Sequence, residues 1–177
     1  MSEPITLKTE RLVLRPIRLQ DVIDVYGYAL DEEYGQYFST QTLESVEKFV
    51  ADSVMAPWDT GPRFSILLES ELIGGTGLTI NLEHKTAELG YSLARPHWSK
   101  GYATEATGRL IRWGFEDLGL DKIFAHADAG NSRSWNVMEK LGMTREGVFR
   151  SHSLVKGNRH DVVYYGILLS EWLEQNS

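Results

Sequence analysis

A chain of 177 residues, 42% hydrophobic and 11% aromatic, has the size and composition of one globular domain and not of a disordered segment. It contains no cysteine, which removes disulfides, a thiolate nucleophile and cysteine metal sites, and its histidines lack the HExxH spacing of a zinc site. A net charge of −7 argues against a broad nucleic-acid face and suits cationic partners such as free amines.

In chain order, residues 12–16 read as a short strand closed by Pro16, which cannot donate to a ladder. Val22, Ile23, Tyr26 and Leu30 recur at helical spacing over 19–30, and Thr42 is a candidate N-cap for a second helix that ends before Pro57. Between them, residues 31–41 are rich in acids and aromatics. Strands are expected over 64–69, 72–82 and 87–94, joined by short polar turns as an antiparallel meander. A helix over 101–118, a strand over 122–128 and a helix over 132–141 follow, the last stopped by Gly142 with Met143 packing back. Strands over 148–155 and 161–169 form a hairpin around Lys156-Gly157-Asn158, and Ser170 is a candidate cap for a last helical turn. No leader-like start and no run of ~18 apolar residues is present, so a cytoplasmic protein without a membrane span is expected. The expectation is one mixed α/β domain over 1–177.

The informative segment is the strand, loop and helix start around Trp98-Ser99-Lys100-Gly101-Tyr102-Ala103-Thr104-Glu105. A helix start leaves backbone N–H groups unpaired, and small residues there let a phosphate approach closely. The residues alone leave open a phosphate cradle, with Lys100 adding charge, or an ordinary strand-to-helix turn. No P-loop is present, and Gly74-Gly75-Thr76-Gly77 continues as strand where a dinucleotide fingerprint needs a helix. Those glycines read instead as a bulge or a close backbone approach.

Gly101 and Ala103 match the last two fixed positions of the Q/R-x-x-G-x-G/A signature of the GNAT superfamily, although Trp98 departs at the first. Trp-x-Lys-Gly-Tyr-Ala-Thr-Glu-Ala resembles in particular the ribosomal-protein N-terminal acetyltransferases. Thr9-Glu-Arg-Leu-Val-Leu-Arg-Pro16, Asn131-Ser-Arg-Ser-Trp-Asn-Val-Met-Glu-Lys-Leu-Gly-Met143 and Gly157-x-x-x-Asp161 agree with that branch, in the same order. The resemblance implies a GNAT-like fold, a central, mostly antiparallel sheet of six to seven strands, splayed in the middle and flanked by helices. It implies acetyl-CoA as co-substrate and no metal. Backbone from Ser99 through Lys100, Gly101, Tyr102 and Ala103 to Thr104 would hold the pyrophosphate, and the strand ending near Leu93 would pair with pantetheine. That strand would part from strand 122–128 to admit the cofactor arm.

Amine acetylation needs a proton acceptor, an oxyanion donor and help for the leaving thiolate. Alternation puts Glu88, Gly90 and Ser92 on one strand face and Ala87, Leu89, Tyr91 and Leu93 on the other. Glu88 falls where related histone acetyltransferases carry a glutamate base, and burial beside a cleft would raise its pKa. A solvent-facing strand acid is the other reading. Asn131 suits an N-cap, and the resemblance adds a contact to the pantetheine arm. Many relatives place a tyrosine, the thiolate's acid, where this chain has Met138, which leaves Ser134 as the substitute. Lys140 reads as a solvated last-turn cation. On the acceptor side, Asp31, Glu32, Glu33, Tyr34, Tyr37 and Phe38 would suit an amine, most of the acids being merely solvating. Trp58 is either a wall of the groove or a buried anchor. Ser153, flanked by His152, stands where the ribosomal-type enzymes offer a hairpin glutamate. The reaction expected is direct transfer in a ternary complex, with a backbone amide near Leu93 at the oxyanion. The acceptor would be a protein N-terminal amine or a small amine such as a polyamine, amino acid or aminoglycoside. Outside the enzymes, a non-catalytic acyl-CoA sensor is the alternative. By analogy with relatives, a homodimer is a candidate assembly.

Overall fold

A computed structural model describes residues 3–37 and 42–176. The strands are β1 (Leu7–Lys8), β2 (Leu12–Pro16), β3 (Arg63–Leu68), β4 (Glu71–Asn81), β5 (Thr86–Leu93), β6 (Lys122–Asp128), β7 (Thr144–Val155) and β8 (Asn158–Leu168). The helices are α1 (Val22–Ala29), α2 (Leu43–Met55), α3 (Tyr102–Glu116), α4 (Ser132–Lys140) and α5 (Leu169–Gln175). One sheet runs in the order β1-β2-β3-β4-β5-β6-β8-β7, so the expected GNAT-like architecture stands, with two-residue β1 added at the edge.

Every strand pairing is antiparallel except β5 with β6. That parallel pairing holds only at Thr86↔Lys122, Ala87↔Ile123 and Glu88↔Phe124, while β4 follows β5 all the way to Leu93. The sheet therefore opens after Glu88. Leu78, Leu89, Leu110, Ile111, Ile123 and Ile167 pack the large core that joins the sheet to α3 and α4. A smaller core of Val25, Tyr28, Val46 and Val50 lies under α1 and α2 on the other face. Tyr28 of that core lies beside Ser92 of β5.

Local signals explain most element ends. Thr42 Oγ1 accepts from Ser45 N at 3.1 Å and caps α2. Gly142 has φ +75, and Met143 N donates to Met138 O at 3.1 Å, closing α4 with Met143 buried. Lys156 and Gly157, at φ 49 and 83, make the two-residue turn between Val155 and its partner Asn158. A Cβ on Gly74 would stand 2.2 Å from Ser92 O, which is the close approach expected there.

Some expectations differ. α1 starts at Val22 after a short turn over Leu19–Asp21, because Asp21 is buried against Arg15. Ile23 is exposed instead of packed. Ser170 caps nothing; Glu171 accepts from Leu168 N at 2.9 Å and starts α5. β7 begins at Thr144, earlier than alternation suggested, since its first residues are polar on both faces. Among the described residues no helix is long and apolar enough to cross a membrane.

Candidate active site

After β5, Trp98 Nε1 donates to Leu93 O at 2.8 Å and pins the loop to the strand end. Ser99 and Gly101 then take left-handed φ of 60 and 83, which turn the chain sharply into α3. The first N–H groups of α3 have no intrahelical acceptor and carry the positive end of the helix dipole. They face a cleft of about 270 Å³ between α3, α4 and the opened edge of β5.

Leu93, Ser99, Gly101, Tyr102, Ala103, Thr104, Asn131 and Ser134 all line this cleft. Lys100 does not; its carbonyl accepts from Arg11 Nη1 at 3.3 Å. Asn131 Oδ1 accepts from Ser134 N at 3.2 Å, capping α4. Met138 is fully buried in the core, beyond reach of the cleft. Lys140, read from sequence as solvated, also lines the cleft.

The start of the chain holds the loop in place. Glu105 in the first turn of α3 accepts from Thr9 Oγ1 at 2.6 Å, Arg11 N at 2.9 Å and Arg11 Nε at 2.6 Å. Burial would raise the Glu105 carboxyl, but these donors outweigh it and hold it below the usual range. The Arg11 guanidinium also lies 4.5 Å from the Tyr102 ring centre. The Thr9-Glu-Arg11 motif is thus a brace for the Trp98–Gly101 loop and the start of α3.

Tyr91 is a cleft residue that sequence reasoning passed over. Its hydroxyl donates to Ser134 O at 2.7 Å and lies 3.0 Å from Ser134 Oγ. Burial pushes the Tyr91 phenol up to about 12, against the opposing effect of the Ser134 hydrogen bond. Alternation alone placed Tyr91 on the strand face of Leu89 and Leu93; only the fold supplies Ser134 as its partner.

Glu88 lies outside the cleft lining, on the other face of β5. Its Oε1 is 3.0 Å from His126 Nδ1 of β6, with side chains 39% and 43% exposed. The expected rise in its pKa is not found. The His126 contact lowers it most, burial opposes, and His126 charge and Arg63 lower it further. Tyr164 stacks on His126 at 5.2 Å and Phe149 meets Tyr164 edge-on at 4.8 Å, next to His152.

The acidic loop after α1 is engaged rather than merely solvating. Asp31 Oδ1 accepts from Glu33 N and Tyr34 N at 3.0 and 3.1 Å. Arg95 pairs with Asp31 at 3.5 Å and Glu33 at 3.2 Å, and Arg133 of α4 also reaches Glu33. Glu32 is exposed, Tyr34 and Tyr37 line the cleft, and Phe38 lies outside the described residues. Trp58 is an anchor, 5.1 Å from Phe64 and 6.4 Å from Trp113 between ring centres. Ser153 pairs with His160 across the hairpin. No group of three metal-ligating side chains occurs among the described residues.

Comparison with known proteins gives the family. Residues 11–144 match the acetyltransferase (GNAT) domain family. The uncharacterized N-acetyltransferase p20 of Bacillus licheniformis is 34% identical, over 94% of this chain and 98% of its own. The spermidine N(1)-acetyltransferase of Vibrio cholerae is 28% identical, covering 99% of each chain. The crystal structure of a GNAT-family acetyltransferase from Bacillus anthracis superposes with a TM-score of 0.83 at 30% identity, over 94% of this chain and 99% of that one.

Proposed function

Because the chain belongs to the GNAT family and is an acetyl-CoA-dependent N-acetyltransferase, we propose that it acetylates a protein N-terminal α-amine by direct attack in a ternary complex. The parting of β5 from β6 after Glu88, together with the left-handed turn at Ser99 and Gly101, supports acetyl transfer whichever amine is the acceptor. The cleft lies on the helix side of that opening, and Glu88 lies on the other face of β5.

Acetyl-CoA brings the activated thioester. The chain's own groups bind and orient it: backbone N–H groups from Ser99 to Thr104 take the pyrophosphate. The unpaired edge of β5 toward Leu93 takes the pantetheine amides, and Asn131 closes over the arm. The amine arrives from the opposite face, where Glu88 stays ionised at neutral pH, attracts an ammonium group and belongs to the machinery that removes its proton. A main-chain amide of β5 near Leu93 holds the oxyanion. Ser134, backed by Tyr91, hands a proton to the departing sulfur. No acyl-enzyme step is needed, since the chain has no cysteine.

The protein N-terminus is favoured by the ordered resemblance to the ribosomal-protein enzymes and by the position of Glu88 on an open face, where an extended peptide can lie. A polyamine is the second reading, favoured by the likeness to the Vibrio spermidine enzyme. Amine-dependent release of CoA, followed by mass spectrometry, separates them: peptides with free N-termini against blocked peptides and polyamines. Acetylation of polyamines alone would overturn the first acceptor and keep the chemistry. Acetyl-CoA binding without turnover on any amine would instead support a sensor.

A further inference from the structure

The open face of the sheet carries a second ionisable group beside Glu88. We infer that His126 is the general base of acetyl transfer, its Nε2 accepting the amine proton while Glu88 holds the ring through Nδ1. This rests on the acetyltransferase reading above and names the atom that reading leaves open.

Position comes first. Glu88↔Phe124 is the last pair between β5 and β6, and His126 is the next residue of β6 on that same face. The imidazole therefore stands at the mouth of the gap into which the thioester arm would enter. Chemistry comes second. A carboxylate 3.0 Å from Nδ1 favours the tautomer with its proton on Nδ1 and leaves the Nε2 lone pair as acceptor. Tyr164, directly opposite His126 in the β6–β8 register, stacks on the ring at an interplanar angle of 28° and fixes its plane. Phe149 supports Tyr164 from behind. The ring is thus fixed by an edge contact and a face contact, as a base on an open surface must be.

The rival acceptors on this face are weaker. Glu88 is held below the usual carboxylate range by His126 and Arg63, and a base that binds protons poorly contributes little. Arg63 of β3 and Lys122 of β6 are cations. Asp128 is engaged by His160 of β8, and His152 of β7 sits farther out against Phe149. Ser153, at the hairpin position where the ribosomal-type enzymes offer a glutamate, is no base.

The step balances as follows. The amine nitrogen bonds to the acetyl carbonyl carbon as its proton passes to Nε2, and the C–S bond breaks. The sulfur takes a proton from water or from the Ser134 hydroxyl, which water in the cleft reprotonates in turn, and the imidazolium returns its proton to solvent, so that the amine proton lost equals the thiol proton gained.

The test compares wild type with His126→Ala and Glu88→Gln on the best amine from the panel. Without wild-type turnover, function and base fall together. With turnover, His126→Ala lowers kcat by about 100-fold or more. It leaves acetyl-CoA affinity within about twofold and regains activity when millimolar imidazole fills the space beside Tyr164. Glu88→Gln lowers kcat less, by about tenfold, and imidazole does not restore it. Unchanged kcat in His126→Ala overturns the assignment. So does a loss that imidazole does not relieve in a variant that still binds acetyl-CoA, for then His126 would be only a wall of the site.

Discussion

Replacing Gly101 with aspartate tests the cofactor cradle with little risk to the fold. Gly101 has φ +83, a conformation that costs a non-glycine residue about 1–2 kcal/mol, less for aspartate than for most. A Cβ there meets only Arg11 Nη2 at 3.4 Å, an ordinary contact, so no clash adds to that cost. A domain stable by about 5–15 kcal/mol tolerates it. The charge acts on the ligand. A carboxylate about 5 Å from a phosphate at an effective dielectric of about 20 repels it by about 3 kcal/mol, a loss of about 100-fold in affinity. Calorimetric titration with acetyl-CoA should therefore show tight wild-type binding and about 100-fold weaker binding by Gly101→Asp. Its melting temperature should fall by only a few degrees. Lys100→Ala serves as the control, because Lys100 does not line the cleft, and should bind within about twofold of wild type. Gly101→Asp binding within about threefold of wild type would refute the placement of the pyrophosphate on this turn.

Further predictions concern the acid side of the reaction and the braces of the fold. Ser134→Ala should lower kcat by about tenfold or more with little change in acetyl-CoA binding, whereas Tyr91→Phe should have a smaller effect on the same parameter; steady-state kinetics decides. Met138→Tyr should not raise activity, since position 138 is fully buried; overpacking should cost about 1–3 kcal/mol in urea unfolding. Asp21, 1% exposed, accepts from Arg15 Nη1 and Nη2, Ser65 Oγ and Arg18 N. Burial raises its carboxyl, yet these donors win and hold it below the ordinary value of 3.8. Its stabilisation is complete above that value and is lost as pH falls through the folded pKa. Asp21→Ala should thus cost about 3–5 kcal/mol at pH 7, and the gap to wild type should narrow below about pH 4.

What could be read from the sequence was local. The turn at Lys156-Gly157, the stop at Gly142 and the cap at Thr42 depend on residues a few positions apart, and each was found where expected. The turn into α3 was legible because its glycine, small residues and helix start are contiguous. What escaped depends on contacts between distant segments. Glu88 looked like a carboxylate raised by burial because nothing near it in the chain announces His126. Asp31 and Glu33 looked solvated because Arg95 and Arg133, which hold them, come from the turn after β5 and from α4. The brace from Thr9 and Arg11 to Glu105 could be seen only as two separate motifs.

In the proposed mechanism β5 stands between the acid and the base and orients both. The family resemblance implies an acid at the helix position occupied here by Met138 and, for the ribosomal-type enzymes, a carboxylate at the hairpin position of Ser153. Neither side chain can serve. On β5, Glu88 and Tyr91 lie three positions apart, an odd spacing, so the pleat turns them to opposite faces. Glu88 faces His126 on the side from which an amine would come, and Tyr91 faces Ser134 on the side where the cofactor arm would lie. In the proposed mechanism the proton leaves the amine on one face of the strand and a proton reaches the sulfur on the other. The thioester crosses between them through the gap that opens after Glu88. Proton removal and thiolate protonation would therefore be separately breakable. His126 variants should lose activity in proportion to the basicity demanded by the amine, and Ser134 variants by the same factor for every amine. A Ser134→Ala defect that varied with amine basicity as the His126 defect does would mean that both residues serve one proton path, and this division of the strand would be wrong.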